Sequence, residues 1–306
     1  MIKRQQGKRF FGSNLPISGL LNLFVVYCVW GSTFLAIRIA VREGSGFPPF
    51  YMASTRLALG GLILLAFALI RGERVMPSRE ELKSLITSAL MLCVGGNGLI
   101  VWAEQRMDSG FTALIVGTVP IWAAVLEAFL NRRRPSWKLV CGLLLGFAGL
   151  IVLLIPIMKM GGRSDVLSVI ALLVATISWV FGAFLQARRP MGLKHMVSSC
   201  WQQLLASVMF GMLIILMKEP LPTPTVEAWM AWAYLLIFGS LIAFTSYVAA
   251  LKQLPTSLVM THGYVNPVVA VLLGWLVLSE PLTVYTIGGM LTILFGVGMV
   301  FRDRAV

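Results

Sequence analysis

The chain is a succession of long apolar runs broken by short polar connectors. A bilayer core about 30 Å thick is crossed by a helix of about 20 apolar residues. Ten runs meet that length: Ser18–Ala40, Met52–Ile70, Leu82–Trp102, Gly110–Leu130, Trp137–Ile157, Asp165–Gln186, Met196–Met217, Ala228–Ala250, Thr256–Leu278 and Val284–Phe301. The first run is too long for a signal-peptide core and no small-residue cleavage site follows it, so it is expected to be retained. Connectors of this length leave no room for a soluble domain. The pattern predicts an all-α membrane protein with ten transmembrane helices.

Composition agrees with the pattern. Of 306 residues, 58% are hydrophobic and 12% charged, where soluble domains carry about 25% charge. The net charge of +13 would fit nucleic acid if it lay on one polar face, but it sits in connectors such as "NRRRPSWK" (Asn131 to Lys138). Eighteen of the 25 Lys and Arg residues fall in connectors of one parity or at the span edges beside them, and five in the other; Arg38 and Arg56 lie further within spans. By the positive-inside rule this bias places both termini in the cytoplasm, with anionic lipid as the partner of that face and no nucleic acid. Cys28, Cys93, Cys141 and Cys200 all fall inside apolar runs without a CxxC pair and read as small buried hydrophobes. No metal site and no cofactor is implied.

The second half of the chain repeats the first at an offset of about 145–149 residues. Trp30 in "YCVWGSTFLAIRIA" meets Trp179 in "TISWVFGAFLQARR"; "MDSGFTALI" (Met107 to Ile115) meets "KQLPTSLVM" (Lys252 to Met260); Pro120 meets Pro267; Gly149 meets Gly296. Five spans per unit is odd, so the second copy is expected upside down with respect to the first. Such inverted repeats are a recurrent basis for alternating access, with the substrate near the midplane. The expected organisation is a basic cytoplasmic N-terminus over 1–17, five-helix units over 18–160 and 161–301, and a short cytoplasmic tail over 302–306.

The paired five-helix units, "WGSTF" in the first span, the mid-span prolines and "SEPL" (Ser279 to Leu282) resemble the drug/metabolite transporter superfamily, and within it the bacterial EamA-type transporters. The resemblance covers roughly Leu20 to Phe301. It implies two EamA-like repeats enclosing a central cavity, and export of amino acids or related small metabolites across the inner membrane.

Polar groups inside the spans are the candidate chemistry, because each needs an internal partner or water. Arg38, two residues from the end of its span, reads as an interfacial anchor. Glu127 reads either as a partner of Arg134 and its neighbours or as a proton site. Arg56, about one turn into the second span, reads as an intramembrane pair or gate latch, or as a snorkelling cation. His262 is the one intramembrane side chain whose ordinary pKa permits a switch near neutral pH. Arg56, Glu127 and His262 are therefore the candidates for coupling or gating. Ser32, Asn97, Tyr247 and Asn266 are candidates for a wet pathway; Gln202, Gln203, Thr245 and Ser246 carry the same two readings, cavity or interhelical hydrogen bonds. Trp30, Trp122 and Trp179 lie near mid-depth, unlike the usual interfacial Trp, and read as pathway walls or as packing. Pro120 and Pro267 are expected to bend their helices. Glycines in the fifth and tenth spans predict close packing, within one chain or across a homodimer.

No HExxH, GxSxG, nucleotide-binding loop or paired carboxylates occur, which argues against an enzyme or a primary pump. A channel would draw its selectivity ring from oligomer symmetry. The expectation is a secondary transporter for a small molecule, with an uncoupled facilitator or multidrug carrier as the alternative.

Overall fold

The computed structural model describes residues 15–106, 109–132, 134–159, 166–188, 192–278 and 282–305, and is helical almost throughout. Among the described residues nine helices are long and apolar enough to cross a membrane, and a further apolar helix spans Trp137–Lys159. The described spans follow the hydropathy pattern to within a few residues. Asp165 and Ser279 to Pro281 lie outside the described residues.

Span ends are set by local chemistry. The third span starts at Arg79, before its apolar run, because Ser78 and Glu81 form a capping box: Glu81 N–H donates to Ser78 Oγ at 3.3 Å and Ser78 N–H to Glu81 Oε2 at 2.8 Å. Thr225 caps the eighth span by accepting from Ala228 N–H at 3.2 Å. The second span (Pro49–Ile70) begins on a proline, where a missing N–H costs least. Its next two N–H groups, Phe50 and Tyr51, donate to Glu219 at 3.1 and 3.0 Å. Burial raises the Glu219 carboxyl above its ordinary range, against the pull of those two donors.

Four spans are not plain α-helices, and they fall in repeat-related pairs. The third and eighth carry π-helical stretches at Ala89–Gly98 and Leu235–Ala243. A π-helix displaces the backbone ladder and leaves carbonyls for other donors. Ser178 Oγ donates to Met91 O at 2.8 Å in one stretch and Gln203 Nε2 to Ser240 O at 3.1 Å in the other. The fourth span is interrupted between Ser109–Val116 and Val119–Asn131, the ninth between Thr256–Val259 and His262–Leu278. Pro120 therefore sits in the first turn of a new helix and does not bend a continuous one. Pro267 does lie inside its helix.

The two halves interleave. The second span packs on the seventh, the fifth on the tenth, the third on the sixth, and the first on the eighth and ninth. Exchanging each span for the one five places along maps these pairings onto one another, with the sixth packing on the fourth as the first does on the ninth. One face of the bundle gathers the start of the first span and the ends of the eighth and tenth: Ser18 donates to Gln253 and Ser136 to Asp303. Glu73 pairs with Lys194 at 3.0 Å there, and Arg74 with Glu81. The other face is tied by Thr223 N–H to Gly46 O at 2.8 Å and by Arg42 to Glu227 at 2.6 Å.

Glycines let the fifth and tenth helices (Trp137–Lys159 and Val284–Ala305) come into backbone contact. A β-carbon on Gly296 would stand 2.6 Å from Gly142 O, and one on Gly289 2.6 Å from Leu153 N. The glycine stripes are thus used within one chain.

Candidate functional site

A cavity lies where the halves meet. The space free of protein atoms, counted with its open part, is about 870 Å³. The first span contributes Trp30, Thr33, Phe34 and Ile37, spaced i, i+3, i+4, i+7 along one helical face. The π-helical third span contributes Cys93 and Asn97, the second Arg56, and the ninth His262 and Asn266. All of these lie near mid-span or toward the face opposite the chain ends. Tyr27 and Thr261, outside the lining, hydrogen-bond through their hydroxyls and join the first and ninth spans.

Four rings from four spans form a layer beside it. Trp30 meets Trp179 edge to face with centroids 5.4 Å apart, His262 likewise at 5.1 Å, and Tyr247 at 4.9 Å. Trp179 and Tyr247 are 5.3 Å apart. These spacings are those of favourable aromatic pairs, each worth about 0.5–1.5 kcal/mol beyond area burial. Trp179 can sit there because Gly96 has no side chain: a β-carbon on Gly96 would come within 2.7 Å of the indole.

The layer is poorly satisfied in hydrogen bonds. Trp179 Nε1, Tyr247 Oη, both nitrogens of His262 and Asn266 Oδ1 are buried without a well-formed partner among the described residues. Buried polar atoms are ordinarily paired, and unpaired ones at a cavity are the groups a bound solute or water would meet. The described lining carries one cation, Arg56, one thiol, Cys93, one imidazole, His262, and no carboxylate.

The structure thus brings Trp30, Trp179, Tyr247, His262, Asn97, Asn266 and Arg56 to one place. Other candidates lie elsewhere. Trp122 is 36% exposed on the outside of the bundle and donates to Thr118 Oγ1 at 3.2 Å. Its mid-depth position is real, but its helix turns it away from the cavity. Ser32 is half-buried and bonded to Val29 O and the Tyr234 hydroxyl. Glu127 is half-buried and outside the cavity lining. Arg38 is more than an anchor, since its guanidinium donates to the main-chain carbonyl of Glu104. Gln202 and Gln203 take the structural reading: Gln202 donates to Ser88 and Gln186 at 2.8 and 2.9 Å, Gln203 to Ser199 and the Ser240 carbonyl.

Thr33, Phe34, Cys93 and Thr176 line the cavity without having been singled out from sequence. The usable signal was helical spacing, three and four residues on from Trp30 and four back from Asn97.

A multi-helix membrane bundle enclosing a mostly apolar cavity with a few convergent polar groups is an architecture that membrane transporters use. A model of the EamA-like transporter family matches the chain twice, over residues 17–155 and 166–302, and the chain belongs to that family. It is 35% identical over 272 residues to an uncharacterized inner membrane transporter, YedA, of Escherichia coli K12, covering 86% of this chain and 83% of that protein. It is 27% identical over 287 residues to an uncharacterized transporter, YoaV, of Bacillus subtilis, covering 92% and 95%. A S-adenosylmethionine/S-adenosylhomocysteine transporter of Chlamydia trachomatis is 24% identical over 272 residues, covering 84% and 81%. One solved crystal structure shares the fold with a TM-score of 0.76 at 22% identity, covering 94% of this chain and 97% of the other. The protein is a multi-pass membrane transporter and not an enzyme.

Proposed function

We propose that the chain is a secondary transporter of the bacterial inner membrane that exports amino acids or related small metabolites by alternating access. In this reading the two five-helix units stand in opposite senses and both termini are cytoplasmic, where anionic lipid meets the clustered Lys and Arg. The observation that carries it is the layer of Trp30, Trp179, Tyr247 and His262, drawn from both halves and left with unsatisfied polar atoms. Matching breaks in the fourth and ninth spans, and matching π-helical stretches in the third and eighth, support it: both halves present irregular helices to one central site. The name of the Chlamydia relative supports it too, because both of its substrates carry an α-amino-acid group.

Metabolite profiling of medium from overproducing cells tests the substrate class, followed by flux into proteoliposomes with and without a pH gradient. Excretion of amino acids above the empty-vector control is expected; an unchanged medium would overturn the export reading. If protons are coupled, His262 is the coupling group of this scheme, and His262→Gln flattens the pH–rate profile while keeping hydrogen-bonding capacity. An unchanged profile in that variant excludes His262. An uncoupled facilitator is favoured by one observation, the lack of any carboxylate on the described cavity wall. The same lack disfavours efflux of multiply charged cations.

A further inference from the structure

Arg56 is 5% exposed and sits at the cavity wall, about two turns into the second span. Of its five N–H groups, one donates to Asn97 Oδ1 at 2.9 Å, and Nε is buried with no partner. No carboxylate among the described residues forms an ion pair with it. A guanidinium in a low-dielectric interior is costly unless an anion meets it. The repeat does not require a cation there either. At offsets of 145–149 residues the equivalents of Arg56 are Trp201, Gln202, Gln203, Leu204 and Leu205, none of them a cation. The charge belongs to one half only, and it faces the shared cavity.

We infer that Arg56 and Asn97 form an anion subsite that holds the carboxylate of the transported solute while its apolar or aromatic part lies on Trp30 and Trp179. This rests on the transporter reading and deepens it. A guanidinium matches a carboxylate with two parallel N–H donors. Because Arg56 engages the Asn97 oxygen, the Asn97 Nδ2 amide is the donor left for the same anion. Asn266 Oδ1, unpartnered and buried on the same cavity, offers an acceptor for an amino group. A carboxylate solute thereby supplies the charge that the protein lacks, and a solute without one leaves Arg56 unpaired.

Benzoate and benzamide test this, as isosteric aromatic probes with and without the charge. Thermal unfolding and Trp fluorescence of the purified full-length protein are followed at constant ionic strength. Benzoate is expected to bind wild type roughly tenfold or more tightly than benzamide, a preference worth about 1.4 kcal/mol. Arg56→Gln erases the preference, and Arg56→Lys keeps part of it. Asn97→Asp installs an internal counter-ion, so it should raise the unfolding temperature and abolish the benzoate response. Equal binding of the two probes, no benzoate response in wild type, or a preference that survives Arg56→Gln would each overturn the subsite. Chloride titrated in place of benzoate separates the sources: equal protection by chloride, lost in Arg56→Gln, assigns a halide site and overturns the carboxylate. Amino-acid excretion by wild-type cells that Arg56→Gln leaves unchanged sinks the subsite and spares the export reading. An Arg56-dependent benzoate response without amino-acid excretion does the reverse.

Discussion

Replacing Trp30 by Ala is expected to lower transport at least about tenfold, or about 1.4 kcal/mol on the translocation barrier, while leaving yield and monodispersity near wild type. Trp30 is the hub of the aromatic layer, touching Trp179, Tyr247 and His262 within 5.4 Å. It is also half-buried and borders the cavity, so truncation enlarges an existing space and does not open a sealed void. A Trp→Ala change in a closed core costs about 3–5 kcal/mol; at Trp30 the loss should fall at or below the lower end. The first span keeps its place through the Ser32–Tyr234 hydroxyl pair and its packing on the eighth and ninth spans. Trp30→Phe retains a ring against Trp179 and should recover part of the rate. Trp179→Ala should lower transport similarly but cost more stability, because that indole is 8% exposed. Initial rates in proteoliposomes, normalised to reconstituted protein, decide the matter. A wild-type rate in Trp30→Ala would remove the layer from the pathway.

The span pattern is legible in the sequence because a run of about 20 apolar residues has few other uses. The pairing of Trp30 with Trp179 was legible for a different reason, since the sequence repeat makes the two residues equivalent. What composition did not reveal is the irregularity of four helices. The π-helical stretches at Ala89–Gly98 and Leu235–Ala243 read as ordinary apolar helix, and what accompanies them is tertiary: Ser178 and Gln203 donate to the Met91 and Ser240 carbonyls from other spans. Pro120 marked the right place but not the outcome, because a proline in a first turn starts a helix as readily as one in mid-helix bends it. Trp122 shows the remaining gap. Depth along a span follows from counting, whereas the direction a side chain faces depends on how that helix is rotated against its neighbours.

The glycines of the tenth span should divide sharply under substitution. Gly296→Ala places a methyl 2.6 Å from Gly142 O and 2.6 Å from Gly146 N, both backbone atoms that cannot rotate aside. The fifth and tenth helices must separate to admit it, at an overpacking cost of about 1–3 kcal/mol, and Gly296→Leu should prevent folding outright. Two residues along, Gly298 has nothing within 4 Å of its added β-carbon. Gly298→Ala should therefore be neutral or slightly stabilising, since Ala is the better helix former by about 1 kcal/mol. Heating followed by size-exclusion chromatography reads the difference as the temperature at which the monodisperse peak is lost. Equal midpoints for Gly296→Ala and Gly298→Ala would refute the close approach. The effect should also reach the cavity. Gly146, beside Gly296, carries the Tyr264 ring against it, and Tyr264 Oη donates to Leu143 O at 2.9 Å. Tyr264 lies two residues from both His262 and Asn266, so a fifth span pushed outward withdraws the support of the helix that presents both to the solute.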